Sequence, residues 1–241
     1  MSPSISIAQT LGNQGSLRSS EYQLRKIVEW IDWVSVSDSP VVRAYRPYPT
    51  AAFSRRESHL AGFKPALDRA SELGYEPILR LTGGRCVVFD QNSLVIDVLL
   101  PEKSRKSNDE VFKDYSEMFA TYLKGLGVNS SVGQLIGEFC PGRFSVLVEN
   151  KAKLIGIAQR VMGHTRLISA SIQLTEPDRP RMVLDKIYRA MLFDWDPKTF
   201  SSLEEHALMF DPNLIGQDLH TFVCQFVESK SKQAVKAIYD L

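Results

Sequence analysis

The stretch Gly137–Arg160, GEFCPGRFSVLVENKAKLIGIAQR, constrains the fold more than any other part of the chain. Phe144, Val146 and Val148 recur at every second position, the spacing of a half-buried strand, and Glu149-Asn150 supplies a tight turn. The segment therefore reads as a hairpin-like unit, with Cys140 in a loop marked by Pro141-Gly142 at one end and Lys153 beyond the turn. A thiol and an ammonium brought together in this way can perform acyl transfer. The cation favours the thiolate and can later stabilise an oxyanion.

Around this unit the chain alternates helical and extended patterns. Leu24, Ile27, Val28 and Ile31 have helical spacing over Glu21–Trp33, with Ser19 or Ser20 available as N-cap. Val41–Tyr45 and the small residues after Pro49 read as short strands. Pro65 in a first turn and Leu67, Ala70 and Leu73 on one face give a helix that Gly74 ends. Ile78–Leu81, Cys86–Phe89 and Leu94–Leu100 are extended. Ser107 with Glu110 forms a capping-box pattern ahead of Val111, Phe112, Tyr115, Met118, Phe119, Tyr122 and Leu123, a stripe that serves as core. Leu167–Leu174 alternates as another strand, Arg181–Phe193 is helical, and Leu214–Tyr239 is predicted as one last helix carrying Leu219, Phe222, Val223, Phe226 and Val227 inward. The expected fold class is α+β, a mixed and largely antiparallel sheet with packed helices.

With 241 residues, no internal repeat and no linker, one domain over residues 21–241 is the simplest organisation, preceded by a Ser-, Gln- and Gly-rich lead, residues 1–20, expected to be disordered. The 29 basic and 28 acidic residues leave a net charge of +1, which gives no global field for nucleic acid or a membrane surface. No run reaches transmembrane length, and the lead lacks the apolar core of a secretory signal. The three cysteines, Cys86, Cys140 and Cys224, contain no Cys-x-x-Cys pair, so neither a disulfide framework nor zinc is suggested and a reducing cytoplasm fits. His59, His164, His206 and His220 have no metal spacing, and no metal is expected.

Thr82-Gly83-Gly84-Arg85 lies between two strands. Turn geometry explains a diglycine there, and close approach of backbone to a ligand is the sharper meaning. It is not a dinucleotide fingerprint, because no helix follows it. The paired Arg55 and Arg56 and the loop cations Lys103, Arg105 and Lys106 read as solvated faces, or alternatively as contacts for an acidic partner.

Taken together, the diglycine turn, the Cys-Pro-Gly loop and the Lys-x-x-Gly-x-Ala-Gln-Arg segment resemble the biotin/lipoate protein ligase and octanoyltransferase superfamily over roughly Val41 to Leu203. Arg80-Leu81-Thr82-Gly83-Gly84-Arg85 looks like the family turn that lines the acyl and adenylate pocket. Lys153-Leu154-Ile155-Gly156-Ile157-Ala158-Gln159 is similar to the segment whose lysine contacts the acyl carbonyl. Phe139-Cys140-Pro141-Gly142 resembles the cysteine loop of the branch that moves octanoyl between the glycine-cleavage H protein and other lipoyl domains. The resemblance thus implies Cys140 and Lys153 as catalytic residues, and Arg80, Gly83, Gly84, Arg85, Gly156, Ala158 and Gln159 as substrate-binding ones. Where ligases and some transferases place a His-Asp pair after the diglycine, this chain has Phe89-Asp90, a change the amidotransferase branch tolerates. The stretch after Leu203 is short for the accessory domain of many bacterial lipoate ligases, which other ligases also lack in the same chain.

Three functions follow from the resemblance. The first is an acyltransferase that forms a Cys140 thioester and delivers octanoyl or lipoyl to a lipoyl-domain lysine without ATP, the donor being acyl carrier protein or H protein. A thiol has an ordinary pKa of about 8.5, so this route needs a cation beside the sulfur, and Lys153 is the candidate. The second is a lipoate ligase that uses ATP and magnesium, with Cys140 incidental. The third is a non-catalytic acyl- or carrier-binding protein. Cys86 is a rival nucleophile in a poor, apolar setting, Cys224 belongs to a packed helix, and His164 could act in proton transfer or simply face solvent.

Overall fold

The structure, a computed structural model, describes residues 19–103, 106–207 and 209–240. Along the chain run α1 (Ser20–Ser37), β1 (Val41–Tyr45), β2 (Thr50–Phe53), α2 (Phe63–Glu72), β3 (Glu76–Leu79), β4 (Val87–Phe89), β5 (Ser93–Pro101) and α3 (Asn108–Gly125). They are followed by β6 (Ser130–Gly133), β7 (Ser145–Val148), β8 (Ala152–Met162), β9 (Thr165–Gln173), α4 (Asp178–Ala190), α5 (Ile215–Ser231) and β10 (Lys236–Asp240). Seven strands form one sheet in the order β10-β1-β5-β9-β8-β7-β6, and β3-β2-β4 form a second, smaller one. Pairing is antiparallel except where β10 joins β1 and β3 joins β2. This is the α+β, mixed and largely antiparallel architecture expected from the sequence.

Strand alternation divides the large sheet into two unlike faces. Val42, Leu94, Ile96, Ile168 and Ile155 point to one side, where the stripes of α3 and α5 cover them in the main core. The predicted capping box starts α3, with Glu110 N–H on Ser107 Oγ at 3.3 Å and Glu110 Oε2 on Ser107 N at 2.8 Å. The opposite face carries Arg43, Asp97, Ser169, Ser171, Gly156 and Ala158 at facing register positions. A face so poor in large apolar groups does not close on a helix along its whole length. α1 covers one end through Val34 against Val41, Leu99 and Leu167. The small sheet, backed by α2 and α4 around Phe53, Ala70, Val183 and Ile187, stands over the rest.

The turn between β7 and β8 has the predicted form. Glu149 and Asn150 both adopt left-handed backbone, φ +51° and +56°, and the Lys151 N–H closes the turn on the Val148 carbonyl at 2.9 Å, just ahead of the Val148–Ala152 pair. Other boundaries differ from the sequence reading. Ser19 caps α1 by accepting the Tyr22 N–H, and Ser20 is buried in its first turn, so these two residues belong to the folded body; residues 1–18 of the expected lead lie outside the described residues. The last predicted helix is two elements. Its inward spacing stops at Val227, a polar run follows, and Lys232 takes φ +55°, so α5 ends and the chain returns as β10 along β1, whose edge offers a ladder of backbone groups. Strand β6 escaped sequence analysis because its four residues carry no apolar alternation; it is fixed by its pairing with β7.

Candidate active site

The register of β8 on β9 sets Gly156 opposite Ser171 and Ala158 opposite Ser169. Four short side chains side by side leave a trough in the sheet, and this trough is the floor of a cavity of about 380 Å³. Val87 and Phe89 of the small sheet form one wall, Phe144 another, and Gly83, Gly84 and Cys140 border it. The lining is mixed: apolar walls from Val87, Phe89 and Phe144 face a floor and rim that carry Ser169, Ser171, Gln159, Lys153 and Arg80, and convergent polar groups beside apolar walls suit a small-ligand site. Phe89 supplies apolar wall. Asp90 is buried and structural, accepting hydrogen bonds from Tyr75 Oη at 3.0 Å and Asn92 N at 2.9 Å.

Cys140 sits at φ +42°, a conformation an ordinary residue adopts only under constraint. The constraints are visible on both sides of the residue. Its N–H donates to Tyr188 Oη at 3.0 Å, and that hydroxyl donates onward to the Cys86 carbonyl at 3.0 Å. Its carbonyl accepts from Lys153 Nζ at 2.9 Å. The sulfur receives the Arg85 backbone N–H at 3.1 Å, and Arg80 Nη2 lies 3.9 Å away. The diglycine turn is pressed against the same sulfur. Gly84 has φ +103°, and a Cβ there would stand 2.6 Å from Arg80 Nη2 and 2.7 Å from Cys140 Sγ. Gly83 has open space around it, so of the two only Gly84 is sterically required.

Lys153 is 4% exposed, and the contacts of its ammonium are with the loop backbone and a carboxylate rather than with the sulfur the sequence suggested. The ammonium is shared by the carbonyls of Phe139 at 3.2 Å and Cys140 at 2.9 Å and by Glu138 Oε2 at 3.1 Å. Held in this way by the backbone of the cysteine loop, Lys153 still borders the cavity. The sulfur's polar neighbours are instead the Arg80 guanidinium and the Arg85 N–H. The Arg85 side chain leaves the cavity and lies over the Phe193 ring at 4.5 Å. Gln159 lines the cavity but spends its amide elsewhere, donating to Asn108 O at 2.7 Å and accepting from Arg166 Nη1 at 2.5 Å.

The alternative groups fall away on geometry. Cys86 is fully buried, and burial, with the nearby Glu57 carboxylate, pushes its thiol well up. Burial likewise pushes the Cys224 thiol up to about 11. His164 is exposed in the β8–β9 turn and does not border the cavity. Arg55 and Arg56 are exposed, while Lys103 pairs with Asp38 and Lys106 with Asp114; residues 104–105, including Arg105, lie outside the described residues. Among the described residues no group of three or more His, Cys, Asp or Glu side chains is arranged to hold a metal ion, and no helix is long and apolar enough to cross a membrane.

Sequence reasoning missed four residues of this site. Ser169 and Ser171 were visible as the polar phase of a strand alternation, and their pairing with Gly156 and Ala158 marks the trough. Glu138 was the carboxylate nearest to Cys140 in the sequence. Tyr188 carries no local signal, because it acts on a residue 48 positions away.

The same arrangement of sheets and helices occurs in solved lipoate ligases. Lipoate-protein ligase A bound with ATP superposes with a TM-score of 0.62 at 14% identity, over 87% of this chain and 81% of that one. The bi-partite lipoate protein ligase of Thermoplasma acidophilum gives 0.61 at 16% identity, over 89% and 82%. The chain belongs to the lipoyl protein ligase A/B catalytic domain family, whose model matches residues 25–182. Among curated relatives it is similar to the octanoyl-[GcvH]:protein N-octanoyltransferases of an Exiguobacterium species, 28% identical over 50% of this chain and 42% of the relative, and of Staphylococcus aureus, 29% identical over 52% and 45%. It is also similar to the lipoyl-[GcvH]:protein N-lipoyltransferase of Listeria monocytogenes, 27% identical over 50% and 44%. The matched region thus spans less than half the length of these relatives.

Proposed function

We propose that the protein is an acyltransferase that carries an octanoyl or lipoyl group on Cys140, from acyl carrier protein or the glycine-cleavage H protein to the lysine of a lipoyl domain. The observation that carries this reading is the setting of the sulfur. It borders a cavity walled by Val87, Phe89 and Phe144, under the diglycine turn, with a backbone N–H and a guanidinium as its polar neighbours. The names of the curated relatives, which act between GcvH and other proteins, support the same donor and acceptor class. The substrate-binding set would be Arg80, Gly83, Gly84, Gly156, Ala158 and Gln159, with Arg85 acting through its backbone N–H.

The reaction proceeds in two exchanges. The Cys140 thiolate attacks the acyl carbonyl carbon, the C–S or C–N bond to the donor breaks, and the departing group takes up a proton. The acceptor amine then attacks the thioester, the new C–N bond forms, and the thiolate leaves as the amine loses its proton. From a thioester donor the sequence runs downhill to an amide; from an N-acyl donor it begins and ends with an amide. Neither case consumes ATP or requires magnesium. Donors preorganised around the developing oxyanion lower the barrier in such steps. Lys153 can serve there by exchanging one of its two carbonyl contacts for the acyl oxygen. We place the reaction in the cytoplasm, where a free thiol persists, and assign the site to a single domain over residues 21–241, with Ser19 and Ser20 joined to it through the first helix.

A transfer assay tests this directly. Octanoylated H protein and an unmodified lipoyl domain, incubated with the protein in the absence of ATP, are expected to give octanoylated lipoyl domain. Cys140→Ser is expected to slow transfer at least 1,000-fold, on the order of the loss seen when a nucleophile is removed. Activity that needs ATP and survives Cys140→Ser would replace this reading with the ligase; binding of octanoyl H protein with no transfer under either condition would leave a binding protein.

A further inference from the structure

We infer that Glu138 is a positioning residue, which fixes both the loop that presents Cys140 and the ammonium of Lys153 beneath it. This rests on the reading of Cys140 as acyl carrier. The side chain of Glu138 has no exposed surface, and its carboxylate makes four polar contacts. Oε1 accepts the Leu135 N–H at 3.1 Å and the Gly142 N–H at 3.3 Å. Oε2 accepts the Ser145 hydroxyl at 2.6 Å and faces Lys153 Nζ at 3.1 Å. The partners at 135, 142 and 145 lie on both sides of Cys140, so one carboxylate spans the loop from end to end.

Charge makes the arrangement more than a loop clasp. Lys153 is buried, and a buried ammonium without a counter-charge is strongly disfavoured. Glu138 supplies that counter-charge and at the same time aims the ammonium, because the loop it organises also carries the carbonyls of Phe139 and Cys140 that accept the remaining Lys153 protons. Gly156 completes the seat: a Cβ there would press on Lys153 Cε at 3.3 Å. The carboxylate, the ammonium and the strained backbone of Cys140 therefore form one unit, and the carboxylate acts on the sulfur's surroundings through Lys153 without touching substrate.

The test uses the full chain with Glu138→Gln, Lys153→Met and the double variant, read by thermal midpoint and by kcat and KM for transfer. Glutamine keeps the size of the side chain and an acceptor oxygen, so it separates charge from scaffolding. Each single variant is expected to lower the midpoint, and the double to recover most of that loss, since removing one partner strands a buried charge and removing both does not. Glu138→Gln is expected to lower kcat about tenfold or more with KM for the carrier changed by less than about twofold, and to change kcat by less than about twofold in the Lys153→Met background. Additive losses of midpoint, or parent kcat in Glu138→Gln, would overturn the assignment. If the parent chain transfers no acyl group, the acyltransferase reading fails instead, and the midpoints alone decide the role of Glu138.

Discussion

At the scale of single residues, the site is built on backbone conformations that most side chains avoid. Cys140 at φ +42° and Gly84 at φ +103° approach each other closely, and only a residue without a Cβ fits at the second position. Gly84→Ala would drive a methyl into the Cys140 sulfur and the Arg80 guanidinium and impose a left-handed conformation costing about 1 kcal/mol. The expected result is transfer slowed at least about 100-fold with the fold retained, measured by the transfer assay beside circular dichroism; parent-like rates would show that the contact of turn and sulfur is dispensable. The diglycine and the cysteine loop were both legible in the sequence. Which of the two glycines matters was not, since that depends on a sulfur 56 positions along the chain. Nor could the sequence tell where the Lys153 ammonium points. Its distance along the chain from Cys140 suggested a pairing with sulfur, whereas the loop carbonyls and Glu138 intercept it.

At the scale of elements, each strand's alternation was readable and each strand's partner was not. The polar phase of β5 shows what the pairing adds. Asp97 is fully buried between Arg43 on β1 and Ser169 on β9, and the Ser169 hydroxyl is too poorly aligned to satisfy either of its oxygens fully. Burial raises its carboxyl from the ordinary 3.8 to about 6, with Ser169 and Arg43 offsetting part of the effect. The sign follows. The folded chain holds this proton more tightly than the unfolded one, so the stability it contributes is complete below pH 3.8 and is lost as pH rises through about 6. A loss of two to three kcal/mol, as an order of magnitude, is expected from Asp97 between pH 4 and 8. Asp97→Asn removes this component, and Arg43 retains Asp240 at 2.8 Å as ion partner. The midpoint of the variant at pH 8 is expected to exceed that of the parent, with the difference shrinking toward pH 5; thermal melts across that range would contradict the assignment if the difference stayed constant. The α3 cap was predictable because its determinants lie within four residues, whereas β10 was read as helix because nothing local announces a parallel partner near the other end of the chain.

At the scale of the molecule, one sheet face is apolar and sealed by helices, and the other carries small and polar residues that no helix covers completely. A second sheet brings the diglycine turn across that open face, and the β7–β8 hairpin brings the cysteine loop to meet it, so that segments 55 residues apart make one hydrogen bond at the sulfur. The periodicity of the chain defined these pieces, and the family resemblance defined which of them would converge. Only the pairing order β5-β9-β8-β7 explains the trough of Gly156, Ala158, Ser169 and Ser171 between them. The central claim is that an acyl group resides covalently on Cys140 during transfer. Incubation of the protein with octanoylated H protein, acid quenching, and mass spectrometry of the intact chain and its peptides should reveal one added octanoyl group, on the peptide containing Cys140 and released by hydroxylamine. No adduct under conditions where transfer proceeds, or an adduct on a peptide lacking Cys140, would contradict it.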